Sequence, residues 1–172
     1  MILDAVNEML GMRAEGELTS EIKKTIAQFP QVHGVYDLFI NNYGPDTNIA
    51  SVHVEVDETL SAREIDTLSR KIQGAVFKTH GVIIDTVGIY SVNVGDGEAA
   101  QIRQDVLNRV MSHEGVLQVH GFYVDMEAMA MTFDIILDFA VDRKAVYGHI
   151  LEEISSLYPE YRVHVTLYSD IS

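Results

Sequence analysis

The chain contains one pattern of apolar residues twice. In the first copy the pattern has helical spacing and then strand spacing, at Leu18, Ile22, Ile26, Val32, Val35, Leu38 and Ile40. The same positions recur at one constant offset as Ile102, Val106, Val110, Val116, Val119, Phe122 and Val124. Because the register holds through a helix and a strand together, we interpret the pattern as a tandem duplication.

Each copy predicts a helix, a two-stranded hairpin, a second helix and a final strand. In the first copy Pro30 ends the first helix, residues 32–40 and 49–57 form the hairpin, Ser61 caps the second helix and residues 82–90 form the last strand. In the second copy Phe133, Ile135 and Leu137 continue the hairpin, and residues 162–168 form the last strand. We therefore expect an α+β fold of two tandem ferredoxin-like αββαβ repeats, each with its helices on one side of the sheet.

The predicted domain boundaries follow from a flexible segment at residues 93–98, Asn-Val-Gly-Asp-Gly-Glu. The first domain is predicted at residues 1–92 and the second, more divergent one at residues 98–172. No apolar run approaches the ~18 residues that span a bilayer, so we expect no direct lipid insertion by this chain.

The composition limits the partners and the metal ligands that the chain can have. The 26 acidic residues outnumber the 12 basic ones, for a formal charge of -14, which disfavours nucleic-acid binding. The chain has no cysteine, so a bound metal would need His, Asp, Glu, carbonyl or water ligands. Phosphate-loop, nucleophile-elbow and zinc-protease motifs are missing from the sequence, and we expect no enzyme activity.

Several short motifs in the first copy stand in the order and spacing of a known family. They are Phe29-Pro30-Gln31-Val32, Gly34-Val35-Tyr36-Asp37-Leu38, Tyr43-Gly44-Pro45, His53-Val54-Glu55-Val56-Asp57 and Leu60-Ser61. With them the first copy resembles the C-terminal cytoplasmic domain of cation diffusion facilitator (cation efflux) transporters. Residues 3–11 also resemble the segment that follows the family's last membrane helix, so residues 1–17 are expected to connect to a membrane part.

The resemblance implies a regulatory module at the cytoplasmic face of the cell membrane, within an integral membrane transporter. It implies a homodimer, contact with the membrane domain of the parent transporter, and binding of Zn²⁺ or another divalent cation such as Mn²⁺, Fe²⁺ or Co²⁺. The alternating Ser51, His53 and Glu55 predict an exposed polar strand face that serves self-association. A stand-alone ferredoxin-like sensor of a small molecule or metal is the alternative.

The resemblance also implies where metal ligands lie. In the first copy the family's ligand positions hold Tyr36, His53, Asp66, Asp85 and Val87. Tyr36 and Val87 are unsuited to the role, which leaves His53, Asp66 and Asp85.

In the second copy the corresponding positions hold His120, Asp134 and His164, with His149 or Glu153 as helical additions. Strand alternation directs Asp134 and His164 away from the core, but it places His120 on the side of Phe122 and Val124. For His120 a half-buried histidine without metal is therefore an open alternative. Isolated surface histidines are the corresponding alternative for the set as a whole.

Overall fold

The computed structural model describes residues 14–44 and 47–168. The connector expected at residues 3–11 and the Pro45-Asp46 step of the first hairpin lie outside these ranges. Across the described ranges, every helix is too short or too polar to cross a bilayer.

The first repeat has the predicted order of elements. They are α1 (Ala14–Ile26), β1 (Gly34–Asn42), β2 (Asn48–Asp57), α2 (Ala62–His80) and β3 (Ile83–Val92). The Ser61 hydroxyl accepts from the Glu64 backbone N–H, and the Glu64 carboxylate accepts from the Ser61 N–H at 2.8 Å. This capping box starts α2, and Gly81 ends it in the left-handed conformation (φ 69°).

The second repeat has the same order of elements. They are α3 (Glu98–Ser112), β4 (Val116–Asp125), β5 (Ala130–Leu137), α4 (Arg143–Leu157) and β6 (Arg162–Tyr168). The α+β class with two tandem ferredoxin-like αββαβ repeats is thus confirmed.

In the described part of each repeat the strands form a three-stranded sheet with the hairpin's second strand at its centre, in the orders β1-β2-β3 and β4-β5-β6. The hairpin strands pair antiparallel, and β6 pairs parallel to β5 after the crossover through α4. One face of each sheet packs against helices. In the second repeat, Phe122 and Phe133 stack with ring centroids 5.0 Å apart, beneath Val106, Ile150 and Ile154.

The chain divides into two compact units, the first ending at Ile89 and the second starting at Tyr90. Tyr90 and Asn93 therefore belong to the second unit. The Asn93 side-chain amide donates to the Val124 carbonyl (3.1 Å), and its oxygen accepts from the Val124 N–H (2.8 Å). These bonds attach the start of the second unit to β4.

Both hairpins contain a bulge at equivalent positions. The register runs from Tyr36↔His53 to Phe39↔Ser51 in the first, and from His120↔Asp134 to Tyr123↔Thr132 in the second. In each case three steps on one strand oppose two on the other. The bulges contain Asp37 (φ 50°) and Gly121 (φ 60°), which are related by the offset of the duplication.

The second bulge corrects one expectation. Simple alternation places His120 with Phe122 and Val124, but the extra residue reverses the alternation between them. His120 consequently faces the same side as its partner Asp134, whereas Phe122 and Val124 belong to the core cluster under the helices.

Candidate functional site

The second unit buries a histidine beside a carboxylate on the sheet face that points away from the helices. His120 on β4 is 1% exposed, and Asp134, opposite it on β5, is 9% exposed. His120 Nε2 lies 3.8 Å from Asp134 Oδ2. Burial of an acid next to an imidazole is costly unless each is compensated, so the pair marks this face as a candidate site.

Tyrosines surround the pair. The Tyr90 hydroxyl donates to Asp134 Oδ2 at 3.1 Å, and its ring centroid lies 5.7 Å from that of His120. The Tyr168 ring lies 5.9 Å from His120 on the β6 side. Gln118 Nε2 is 3.4 Å from His120 Nδ1, close enough for the amide to influence which ring nitrogen carries the proton.

Gly121 makes room for this cluster. A Cβ added there would lie 3.0 Å from the Tyr90 ring and 3.3 Å from Asp134 Oδ2. The residue also has the positive φ of the bulge, which glycine adopts without strain. The bulge that turns His120 toward Asp134 therefore also admits Tyr90.

His164 lies farther along the same face. It pairs with Thr132 on β5, while Thr166 is the residue opposite Asp134. The exposed His164 side chain lines a cavity of about 460 Å³ together with Tyr123, Asp125 and Arg162. The structure thus brings His120 and Asp134 together and leaves His164 two strand positions away.

His149 lies elsewhere. It is exposed on α4, the helix that covers the Phe122 face, and its ring neighbours His113 at a centroid distance of 5.9 Å. The helix separates it from the His120 face of the sheet.

The first unit separates its three candidates. His53 stands opposite Tyr36, its Nδ1 is 3.3 Å from Asp37 Oδ2, and its ring lies against Gly88. Asp66 is on the exposed side of α2, where its hydrogen bond with Arg70 at 2.9 Å lowers the pKa of the carboxyl below its usual value.

Asp85 is exposed on β3. Glu55, expected on an exposed polar strand, is only 5% exposed, so that expectation is wrong for this residue. Within residues 14–44 and 47–168, no three His, Asp or Glu side chains lie, as they stand, where they could hold a metal ion together, so a site for an ion requires side chains to move.

Residues 14–87 match the family described as the cation efflux protein, cytoplasmic domain. The first unit is similar to this cytoplasmic domain. The resemblance read from the motifs of the first copy is thereby confirmed. The matched segment ends before the second unit begins at Tyr90.

Solved structures similar to this chain include several MamM CTD forms. A cadmium form is 17% identical with a TM-score of 0.40, covering 47% of this chain and 99% of that one. A nickel form is 18% identical with a TM-score of 0.39, covering 46% and 99%. A copper form is 18% identical with a TM-score of 0.39, covering 46% and 98%. No curated protein matches the chain.

Three residues of these clusters were not predicted from the sequence, because the ligand positions implied by the resemblance do not include Tyr90, Gln118 or Asp37. Asp37 is part of the Gly-Val-Tyr-Asp-Leu motif, but its approach to His53 depends on a left-handed backbone that periodicity does not reveal. Tyr90 belongs to the last predicted strand of the first copy, and its contact with Asp134 depends on Gly121. A glycine on a predicted strand was the available signal, because it often marks a bulge or a close approach.

Proposed function

We propose that this chain is a cytoplasmic regulatory module of a divalent-cation efflux transporter, and that it senses the metal through its second unit. The match of residues 14–87 to the cation efflux cytoplasmic domain carries the first part of the proposal. The second part is supported by the buried His120–Asp134 pair of the second unit. Upstream of such a module, the open reading frame is expected to encode apolar membrane spans of about 20 residues each. The module itself acts without enzyme chemistry, through metal binding and protein contacts.

In this proposal His120 and Asp134 provide the first two donors. Their facing atoms, Nε2 and Oδ2, are 3.8 Å apart, which is slightly wider than two donors on one tetrahedral Zn²⁺, about 3.3 Å from Zn–ligand distances of about 2.0–2.1 Å. A small closure of the hairpin would bring both atoms onto one ion. Imidazole with carboxylate suits Zn²⁺, Mn²⁺, Fe²⁺ or Co²⁺.

Gln118 has a defined part in this site. A metal at His120 Nε2 requires the proton of the neutral ring to be on Nδ1, where an acceptor then stabilises it. Gln118 lies 3.4 Å from Nδ1 and presents its carbonyl oxygen there after a flip of the amide. The amide therefore orients the imidazole in the metal-bound form, and His164 is the proposed third ligand from the neighbouring strand.

Calorimetric titration with Zn²⁺ and Mn²⁺ tests the site. Asp134→Asn keeps the shape of the side chain and an acceptor for Tyr90, and His164→Ala removes an exposed ring. Each is expected to weaken binding at least about 10-fold, whereas His80→Ala, at the end of α2, leaves it unchanged. Because an imidazole must be neutral to bind the ion, binding should also weaken as the pH is lowered. Parental affinity in both site variants would remove this site from the proposal.

Dimerisation is the second part of the proposal. Sedimentation of the chain over a range of concentrations, with and without Zn²⁺, is expected to show a dimer that metal stabilises. A strict monomer at high concentration in both conditions would contradict the homodimer while leaving the fold unaffected.

A small-molecule sensor is the second candidate, because the cavity of about 460 Å³ on the face of His164 has a volume typical of ligand sites. Arg162 and His164 in its lining favour a carboxylate-bearing effector, although Asp125 in the same lining opposes its charge. A thermal-shift screen with small carboxylic acids separates the candidates, since an effector would raise the melting temperature in the presence of a metal chelator.

A further inference from the structure

A second polar cluster lies on the helical side of the second unit, where α3 ends beside α4. His113, the C-cap of α3, places its Nε2 2.7 Å from Glu153 Oε2. The ring of His149 lies 5.9 Å from that of His113, at an interplanar angle of 65°. Because His149 and Glu153 are four residues apart on α4, their side chains emerge on one face of the helix.

These distances are close to those of a metal site. With Zn–N distances of about 2.0–2.1 Å, two imidazoles on one tetrahedral ion have ring centroids about 5 Å apart, and donor atoms about 3.3 Å apart. The His113 and His149 centroids are 5.9 Å apart, and the His113–Glu153 donors are 2.7 Å apart. In the present arrangement a hydrogen bond joins His113 to Glu153, and a turn of the His149 ring is needed before three donors converge.

The surroundings allow an ion to enter. The side chains of His113 and Glu153 are 20% and 33% exposed, and His149 is exposed. The carbonyl end of α3 adjoins His113 and favours positive charge there. The positive charge of Arg109 disfavours a cation here, because its Nη1 lies 3.8 Å from Glu153 Oε1. The Nε of Arg109 binds Asp105 at 2.8 Å, and the carboxylate offsets part of that charge.

We propose that His113, His149 and Glu153 form a divalent-cation site that takes Zn²⁺, Ni²⁺ or Cu²⁺, with water completing the coordination. The ion replaces the His113–Glu153 hydrogen bond and links the end of α3 to α4, so it stabilises the second unit. The site lies on the helices, away from the His120 face, and it is independent of the function proposed above. Two imidazoles and one carboxylate are a donor set that binds these ions well.

The test uses a chain that carries Asp134→Asn and His164→Ala, so that the sheet site makes no contribution. In this background Ni²⁺ and Zn²⁺ are titrated calorimetrically, and the metal-induced rise in melting temperature is recorded. His149→Ala removes an exposed ring and Glu153→Gln keeps the side chain's shape. Each is expected to weaken binding at least about 10-fold and to abolish the rise in melting temperature. His33→Ala, an exposed histidine of the first unit, is the matched control and should change neither.

Localisation gives the second readout. Substoichiometric Cu²⁺ is expected to broaden the imidazole NMR signals of His113 and His149 first. Parental affinity in both His149→Ala and Glu153→Gln, or broadening centred on β4 and β5, would overturn the proposal. Loss of binding on Asp134→Asn and His164→Ala alone would support the sheet site and refute this one, so failures of the two proposals are distinguishable.

Discussion

Gly121 is the position where a single methyl group should disturb both the fold and the candidate site. Gly121→Ala places a Cβ on a residue with φ 60°, which costs about 1–2 kcal/mol for an L-residue in the left-handed region. The new Cβ would lie 3.0 Å from the Tyr90 ring, so the ring must shift. That shift weakens the Tyr90–Asp134 hydrogen bond, which should lower the stability of the unit by about 1 kcal/mol more. We expect a total destabilisation of about 2–3 kcal/mol.

Gly148→Ala is the matched control in the same unit. Gly148 lies in the interior of α4 with open space around its Cα, so alanine there should stabilise the unit by about 0.5–1 kcal/mol. Native-state hydrogen exchange of the β5 amides measures the free energy of opening of this unit directly, without assuming a two-state transition for the whole chain. A neutral or stabilising Gly121→Ala would refute the argument from the bulge.

Three further outcomes are expected. Asn93→Ala should destabilise the second unit by about 2–3 kcal/mol in the same exchange measurement, because the buried backbone N–H and C=O of Val124 lose their partners. Burial, followed by the hydrogen bond to Asp105, raises the pKa of Tyr158 to about 12. The raised pKa means that the folded state favours the neutral phenol. Its contribution to stability is therefore complete below the unfolded pKa of about 10 and should be lost as the pH rises toward 12. Thermal melts at alkaline pH should show a smaller loss of stability for Tyr158→Phe. Ser61→Ala removes the cap of α2 and should lower the stability of the first unit by about 1 kcal/mol in urea unfolding.

The repeat and its element order were predictable because burial imposes a period on the sequence. Leu18, Ile22 and Ile26 recur as Ile102, Val106 and Val110, and all but the partly buried Leu18 lie in the cores of their units. Helix ends were predictable for the same kind of reason, since Ser61 and Gly81 have local roles that depend on few neighbours.

The side on which His120 lies was not predictable from alternation. A left-handed residue inserts one step into the strand and leaves the apolar spacing after it intact, so alternation does not show the reversal, and Gly121 is the sign of it in the sequence. Asp37 occupies the equivalent bulge with a residue that predicts nothing unusual there. The burial of Glu55 was likewise invisible, because a carboxylate on an alternating strand is ordinarily solvated.

β5 is buried on both of its faces. Of the seven residues from Met131 to Leu137, Thr132 alone is exposed. A strand with one solvated face ordinarily has a row of exposed side chains that can be substituted with little loss of stability. β5 lacks such a row, whereas β6 has exposed positions at Arg162, His164 and Leu167. In a saturation mutagenesis experiment on the second unit, substitutions should therefore be poorly tolerated along nearly all of β5, whereas tolerated positions should be interspersed along β6.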